Sequence, residues 1–379
     1  MDIKRAYKFR FYPNKQQEEI LAHTFGCVRF AYNYMLRVRT DAWFERKERI
    51  GYHETSALLT ELKKQPEYEW LKNVSCVPVQ QALRHLHGSF NNFFARKTKY
   101  PAFKSKHGKQ SATYTINGFR LHEKKLTLAK MDDPLHIRWS KTVPRGATVT
   151  SCTVSKDPAG RYFISMLCDD TVAPLPANTN QVGIDLGLTH FATLSTGEKI
   201  SSPNVFRKNE KKLAKAQRKL AKKKKGSKNK AKAKLKVARI HAKIADTRKD
   251  FTHKLSTRLI RENQTIAIET LAVKNMQKNK HLAKSISDAG WSEFVRQLEY
   301  KSHWYGRTLI GIDRWYPSSK RCSTCGFTVS KMPISIREWT CPECNSIHDR
   351  DINAARNILT AGLAGLAFGE SVSPTQAYA

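Results

Sequence analysis

Long apolar runs are missing from this chain of 379 residues: none approaches the roughly 18 residues that a membrane-spanning helix needs. The first residues also lack the apolar segment of a secretory signal peptide. We therefore expect a cytoplasmic protein rather than a secreted or membrane protein. No internal repeat is visible. Hydrophobic residues make up 40% of the chain, which excludes a wholly disordered protein.

Acidic residues are also scarce. The chain has 32 Asp and Glu against 68 Lys and Arg, a net charge of +36. Such an excess predicts a polyanionic partner, most simply nucleic acid, because each basic side chain set against a phosphate releases a condensed counterion. Residues 207–249 hold 20 Lys or Arg against two acids. Their leucines, alanines and isoleucines follow helical spacing, which predicts a long basic helical hairpin with a turn at Gly226.

Cysteines are few, and half of them are clustered. Four are scattered, whereas the other four form two Cys-x-x-Cys pairs separated by 15 residues: Cys322, Cys325, Cys341 and Cys344. Two such pairs at this spacing predict one tetrahedral zinc site rather than disulfides or a redox pair. A site closed by four thiolates is structural. His348 is an alternative ligand, but four cysteines already suffice.

Hydrophobic periodicity divides the chain into two parts. Residues 3–12 alternate basic and apolar side chains, as in a strand, and 16–35 follow helical spacing. Helical patterns continue to about residue 95. Short strand-like runs then follow, separated by turns such as Asp157-Pro-Ala-Gly, and they indicate a small β-barrel or sandwich. A linker beginning at Pro174 leads into a second, α/β part.

Three carboxylates occupy unusual places in that second part. Asp185 lies in an apolar strand between glycines, Glu269 ends another apolar strand, and Asp351 opens a helical run. Asp351 alone is best interpreted as a helix N-cap. Carboxylates in buried strands need compensation, however, and two of them favour convergence on divalent metal. Two Mg²⁺ ions held by such oxygens activate water and stabilise the leaving oxygen in phosphodiester hydrolysis, so the pattern favours a nuclease over structural carboxylates.

The segments around these residues resemble known motifs. Gly183-Ile-Asp-Leu-Gly, Ile268-Glu269 and His348-Asp-Arg-Asp-Ile-Asn-Ala-Ala resemble the three RuvC-type motifs of TnpB, the RNA-guided nuclease family of insertion sequences. Phe11-Tyr-Pro-Asn and Tyr316-Pro-Ser-Ser-Lys, the latter leading into the first cysteine pair, also match that family. The resemblance covers nearly the whole chain, and type V CRISPR effector nucleases are relatives of the family.

The resemblance implies an α/β RNase H-like (RuvC) nuclease domain with an inserted zinc ribbon, preceded by a wedge β-barrel that carries an inserted helical recognition domain. The implied parts are the first barrel strand (1–15), the helical recognition domain (16–96), the rest of the barrel (97–175), the first part of the nuclease with the basic hairpin (176–316), the zinc ribbon (317–347), the last nuclease motif (348–364) and a flexible tail (365–379).

By the same resemblance, Asp185, Glu269 and Asp351 are the catalytic residues and the ligands of two Mg²⁺ ions. Asp351 is chosen over Asp349 because Asp-x-Asn-Ala-Ala begins with the family's catalytic residue. The partners are a guide RNA from the transposon end and double-stranded DNA beside a short flanking motif, in the prokaryotic cytoplasm or nucleoid. No further protein partner and no membrane is required. The candidate nucleic-acid contacts are Tyr52, Gln80, Lys104, Lys106, Lys222, Lys223, Lys224 and Lys225.

Aromatic residues near the basic loop 96–109 have two interpretations. Phe94, Tyr100 and Phe103 could stack on bases, although core packing is the favoured interpretation for Phe94. Tyr52 and Gln80 could equally be ordinary surface or packing residues.

Three other functions fit parts of the pattern. One is an RNA-guided binder or repressor that does not cut, which the presence of all three carboxylates opposes. Another is a conventional zinc-ribbon DNA-binding transposase without a guide. The third is a generic RNase H-like nuclease that acts on any hybrid duplex.

Overall fold

The computed structural model describes residues 2–367 apart from residues 145 and 334. The chain forms two compact units, Asp2–Thr171 and, among the described residues, Val172 onwards. Among the described residues, no helix is both long and apolar enough to cross a bilayer.

The first unit contains an open antiparallel sheet and a helical insertion. Its elements are β1 (Asp2–Tyr12), α1 (Lys15–Arg46), α2 (Tyr52–Leu62), α3 (Cys76–Phe94), β2 (Gln110–Thr115), β3 (Phe119–His122), β4 (Lys125–Leu128), β5 (His136–Arg138), β6 (Thr148–Lys156) and β7 (Tyr162–Thr171). The sheet order is β2-β6-β7-β1-β5, and β3 pairs with β4 separately.

Alternation along β1 builds the core of this unit. Tyr7, Phe9 and Phe11 are buried, whereas the basic residues between them are exposed, as the period of two requires. Helix α1 starts at an Asn14 capping box, in which the Asn14 side chain accepts from the Gln17 N–H. Together with α3, it covers the same apolar core.

The second unit is a mixed α/β structure. Its elements are β8 (Gln181–Leu186), β9 (His190–Leu194), β10 (Lys199–Ser201), α4 (Val205–Ala221), α5 (Lys228–Glu262), β11 (Thr265–Ile268), α6 (Val273–Met276), α7 (Ala283–Ala289), α8 (Trp291–Tyr305), β12 (Thr308–Gly311), β13 (Glu338–Thr340), β14 (Ile347–Asp349) and α9 (Arg350–Ala367). The main sheet has the order β10-β9-β8-β11-β12, with β8, β11 and β12 parallel.

Helix α9 packs unusually close to this sheet. A Cβ built on Gly183 of β8 would lie 2.0 Å from the Ala355 carbonyl oxygen of α9, and one built on Gly362 would lie 2.7 Å from the Ala267 Cβ of β11. Only glycine allows an approach of this kind. Because side chains alternate along strands, Asp185 shares the α9 face with Gly183, and Glu269 shares it with Ala267.

Several sequence-based boundaries were wrong. Helix α1 runs to Arg46 rather than stopping near residue 35, because Leu36 and Ala42 continue its buried face. Helix α5 runs on to Glu262, since Leu255, Leu259 and Ile260 pack on the sheet's core. The tail expected from residue 365 is helical to Ala367, and its remainder lies outside the described residues.

The close packing of α9 gives a first prediction. Replacing Gly183 with Ala would push a methyl group into the Ala355 carbonyl oxygen, so we expect the free energy of unfolding to fall by on the order of 3 kcal/mol, measured by denaturant titration. Gly88→Ala is the control: beyond the neighbouring backbone of its own helix, no atom of the described residues lies within 4 Å of the point where a Cβ on this glycine would stand, and alanine there should raise the free energy of unfolding by up to about 1 kcal/mol. Equal stability of the Gly183→Ala variant and the parent would refute the close contact.

Candidate active site and zinc site

Asp185 and Glu269 lie side by side at the carboxyl ends of two parallel strands. Ile184 of β8 pairs with Ile268 of β11, and Asp185 and Glu269 are the residues that directly follow them. The Leu186 backbone N–H donates to Glu269 Oε1 at 2.8 Å, which fixes the Glu269 side chain against β8. Both side chains are partly accessible. The carboxyl end of parallel strands is the edge at which α/β proteins place their ligands.

Asp351 lies in the first turn of α9, over the same edge. It precedes Ala355, which abuts Gly183, by about one helical turn, a rise of ~6 Å. Asp185 lies two residues beyond Gly183, a rise of ~6.6 Å along the strand. The negative charge of Asp351 acts directly on Asp185. The structure thus brings all three sequence-predicted carboxylates to one sheet edge.

Neighbouring negative charges act on one another at this edge. Burial, and then the charge of Asp351, raise the pKa of Asp185 to about 7. Burial and the charge of Asp185 also raise the pKa of Glu269 well above its ordinary value, although the Leu186 N–H opposes this. Arg337 Nη1 lies 3.6 Å from Asp351 Oδ1. Burial and neighbouring negative charge thus penalise the ionised forms of both Asp185 and Glu269, although the charge of Arg350 opposes the rise in the pKa of Asp185. A bound cation would relieve that penalty.

Asp349, not Asp351, caps α9. Its Oδ1 accepts the backbone N–H groups of Asp351 and Ile352 at 3.1 and 3.0 Å, and its Oδ2 accepts from Lys199 Nζ at 2.6 Å. Burial opposes ionisation, but Lys199 and the Ile352 N–H hold the pKa of Asp349 below its usual range. The N-cap interpretation of Asp351 was therefore wrong by two residues, and the cap leaves the Asp351 carboxylate available to face Asp185.

The four cysteines form two matching knuckles. Gly326 and Asn345 follow the two Cys-x-x-Cys pairs with left-handed φ values of 83° and 58°. Each donates its N–H back to the carbonyl of the first cysteine of its pair, Cys322 or Cys341, at 3.0 and 2.9 Å. Both turns therefore present their thiols to the same point.

The distances between the thiols fit zinc. All four sulfur atoms lie within 4.8 Å of one another, and the separations Cys322–Cys344 and Cys325–Cys341 are 3.7 and 3.6 Å. A tetrahedron with Zn–S bonds of about 2.3 Å has edges of about 3.8 Å. No other group of three or more His, Cys, Asp or Glu ligand atoms is this tight within the described part of the chain. The carboxylate oxygens of Asp185, Glu269 and Asp351 are therefore more widely spaced than the four thiol sulfurs, which lie within 4.8 Å of one another.

Two asparagines that the sequence reasoning missed join the first knuckle to α9. Asn353 Oδ1 accepts the Ser323 N–H at 2.9 Å, and Asn353 Nδ2 donates to the Arg321 carbonyl at 2.8 Å. Asn357 donates to the same carbonyl and to that of Ser318. Both asparagines are buried. Their four-residue spacing on an apolar helix face is the sequence pattern that would have indicated a shared buried contact. The knuckle is thus anchored to the helix that carries Asp351.

His348 lies beside the cage. Its Nε2 is 3.0 Å from the Cys322 sulfur, and its ring packs on Trp339 with centroids 5.0 Å apart. The tight sulfur quartet is complete without it, so His348 is best described as a neighbour that contacts a thiol and orients it.

The candidate nucleic-acid contacts are dispersed over both units. Lys222 caps the end of α4, and Lys223, Lys224 and Lys225 follow it in the turn before α5, all exposed. Gln80 and Lys106 are exposed, whereas Tyr52 is partly buried under Arg84. Lys104 holds its ammonium group 3.9 Å from the centre of the Tyr32 ring, and burial lowers its pKa. Phe94 is 68% exposed, so its core-packing interpretation was wrong.

Comparisons with known proteins agree with this architecture. The chain is 56% identical over 373 residues to a Streptomyces pristinaespiralis protein described as "Putative RNA-guided DNA endonuclease", covering 98% of this chain and 92% of that one. It is 34% identical over 386 residues to "Putative RNA-guided DNA endonuclease InsQ" of Escherichia coli K12, covering 97% and 94%. A family model for OrfB of IS605, described as "Probable transposase", matches residues 154–280. The chain belongs to the TnpB family.

Two further family models and a solved structure match this TnpB-family chain. A "Cas12f1-like, TNB domain" matches residues 291–358, which include the cysteine quartet. A "Helix-turn-helix domain" matches 1–48, but the described residues there form β1 and the single long helix α1. A Cas12f1 chain solved by cryo-EM in complex with sgRNA and target DNA has the same fold, with a TM-score of 0.59 at 14% identity, covering 94% of this chain and 98% of that one.

The cysteine geometry gives a second prediction. We expect about one zinc per purified chain by elemental analysis, and Cys341→Ser should lose most of it, because three thiolates bind the ion far more weakly than a closed cage. Cys76→Ser, which removes an exposed cysteine outside the cluster, should keep the zinc. Full zinc content in the Cys341→Ser variant would exclude the quartet as the site.

Proposed function

We propose that this chain is a transposon-associated, RNA-guided endonuclease that cuts double-stranded DNA beside a short flanking motif by metal-assisted phosphodiester hydrolysis. The observation that carries the proposal is the convergence of Asp185, Glu269 and Asp351 on one edge of a mixed sheet. The names of its full-length relatives, which describe RNA-guided DNA endonucleases, support the same reaction.

The donor set fits hard divalent cations. Three carboxylates match the oxygen ligands that Mg²⁺ prefers, and the raised pKa values of Asp185 and Glu269 reflect negative charge that such ions would neutralise. Asp185, Glu269 and Asp351 would hold two Mg²⁺ ions, which when bound supply an activated water and stabilise the leaving oxygen. The three carboxylates are more widely spaced than the four thiols, which would suit more than one bound ion.

The chain's own contribution is to fix these ligands. The Leu186 N–H holds Glu269, and the Asp349 cap and its ion pair with Lys199 hold the first turn of α9. Rigid positioning of this kind removes the entropic cost of assembling the site at each turnover.

The same proposal assigns the sheets and helices of the two units to domains. The sheet order β10-β9-β8-β11-β12, antiparallel and then parallel, with α9 on one face, is consistent with an RNase H-like (RuvC) nuclease domain. We assign the antiparallel sheet of the first unit to the wedge barrel, α1 to α3 to the recognition domain, and the segment containing the cysteines to the inserted ribbon. The sheet of the first unit is open, because β2 and β5 at its two edges do not pair.

The basic surfaces suit a guide RNA and its hybrid with DNA. The hairpin of α4 and α5 carries the densest positive charge of the chain, and its turn exposes Lys222, Lys223, Lys224 and Lys225. Such lysine clusters bind phosphates without distinguishing one base sequence from another, so base pairing with the guide would supply the sequence specificity. We propose a transposon-end RNA as that guide and the prokaryotic cytoplasm as the place of action.

Conservative changes of two neighbouring acids give a third prediction. Asp351→Asn should lower single-turnover cleavage of guide-matched DNA on the order of a thousandfold or more, because it removes a metal-binding charge. Asp349→Asn is the matched control: asparagine also caps helices well, so cleavage should fall far less. Binding of guide and DNA, measured by mobility shift, should survive in both variants.

Two results would contradict the proposal in different ways. Undiminished cutting by Asp351→Asn would remove this carboxylate from the site. Purified protein without any bound RNA of defined sequence, together with cutting or binding that needs no guide, would favour a conventional transposase or a generic hybrid nuclease. Binding without cutting by the parent protein would favour a guided repressor.

A further inference from the structure

Trp315 is the most exposed large aromatic side chain among the described residues. Its exposed fraction is 79%, whereas the next most exposed aromatic rings, Phe94 and Phe44, reach 68% and 66%. Tryptophan is normally highly buried, because its indole has the largest apolar surface of any side chain. A ring left uncovered to this extent is a candidate contact surface for a partner.

The backbone around Trp315 is nevertheless fixed. The Ile312 N–H donates to the Ile268 carbonyl at 3.0 Å, which extends the parallel ladder one residue beyond β12. The Trp315 N–H donates to Asp313 Oδ1 at 2.7 Å, forming a tight turn. The next residue, Tyr316, packs against the small core of Ala267, Ile312 and Ile358. The indole is therefore exposed from an ordered turn that is anchored on both sides.

This turn lies at the same edge of the sheet as the carboxylates. Register pairs Ile268 with Gly311, so Ile312 stands beside Glu269. Trp315 is three residues further along, which limits its Cα to within about 11 Å of the Ile312 Cα. Successive phosphates of a stacked strand are separated by several ångströms, so the ring is within a few nucleotides of any phosphate held at Glu269.

A cation accompanies the ring. The Arg314 guanidinium carbon lies 4.8 Å from the centre of the Trp315 ring system. Stacked aromatic and arginine groups are the usual means by which proteins hold single-stranded nucleic acid, the ring binding a base and the cation favouring the backbone. An apolar protein partner would gain little from this guanidinium, whereas a nucleic-acid strand would gain from both groups.

We propose that Trp315 is a stacking platform for one unpaired nucleobase of the DNA strand being cut, a few nucleotides from the scissile phosphate, with Arg314 beside that strand's backbone. The platform holds the strand in line with Asp185, Glu269 and Asp351. A base can stack there only when it is unpaired, so the platform favours displaced single strands over intact duplex. This inference rests on the proposed cleavage function.

The test combines a protein variant with an altered substrate. The full chain, in complex with the RNA that co-purifies with it, is given matched DNA in which a single abasic nucleotide is moved step by step across the cleavage position. At subsaturating protein, Trp315→Ala should cut unmodified DNA about tenfold more slowly, the equivalent of ~1.4 kcal/mol. In the parent, an abasic nucleotide at one position should cause a similar loss, and in Trp315→Ala that position should cause no further loss.

Two further variants serve as controls. Trp315→Phe should recover most of the rate and the position-specific sensitivity, because phenylalanine keeps an aromatic face. Phe44→Ala removes another exposed ring, from the first unit, and should keep the parent's abasic profile. Since the indole is mostly exposed, thermal unfolding of Trp315→Ala should match that of the parent, which separates stacking from stability.

The outcomes separate this inference from the proposed function. If the parent cuts and Trp315→Ala shows the same abasic profile, the platform is refuted while the nuclease stands. If Trp315→Ala instead weakens binding of the RNA alone, the ring contacts the guide and the inference is overturned. If the parent cuts no DNA under any guide, the proposed function fails first.

Discussion

The contact between Gly183 of β8 and the backbone of α9 is the constraint on which the second unit depends. A Cβ at this position would fall 2.0 Å from the Ala355 carbonyl oxygen, and Gly362 meets Ala267 almost as closely. Glycine at two crossing points lets the helix lie directly on the sheet, at a cost in chain entropy. Asp351 lies about one helical turn before Ala355, and Asp185 lies two residues beyond Gly183. The two carboxylates therefore stand at the same height along the sheet. The acidic edge is thus a consequence of backbone packing.

The same helix also joins two different kinds of metal-ligand chemistry. Its first turn carries Asp351 and is capped by Asp349, and its buried Asn353 and Asn357 hold the backbone of the first cysteine knuckle. A small ribbon has too little apolar core to hold itself rigid, so a bound ion would supply what packing cannot. The ordered knuckle would then help to hold α9, and with it Asp351, in place through the side-chain amides of Asn353 and Asn357.

Local sequence patterns predicted much of this, and long-range geometry accounts for the rest. Period-two alternation in β1, the Cys-x-x-Cys spacing and apolar strands that end in acids are local signals. The distinction between Asp349 and Asp351 depends on which carboxylate reaches the helix N–H groups, and both fit the N-cap pattern. The burial of Asn357 and the exposure of Phe94 and Trp315 are likewise set by neighbours distant in sequence. The sequence pattern did not predict the full length of α1, because its last turns contain mostly polar residues and few buried apolar ones.

Anomalous diffraction from crystals of the protein soaked in Mn²⁺ would show whether Asp185, Glu269 and Asp351 bind metal together, because Mn²⁺ shares the oxygen-ligand preference of Mg²⁺ and reveals its own position. We expect manganese peaks bonded to the carboxylates of Asp185, Glu269 and Asp351, and none of them in the Asp185→Asn variant. Manganese bound only elsewhere on the surface, or an Asp351 carboxylate turned away from an occupied Asp185–Glu269 pair, would contradict this expectation.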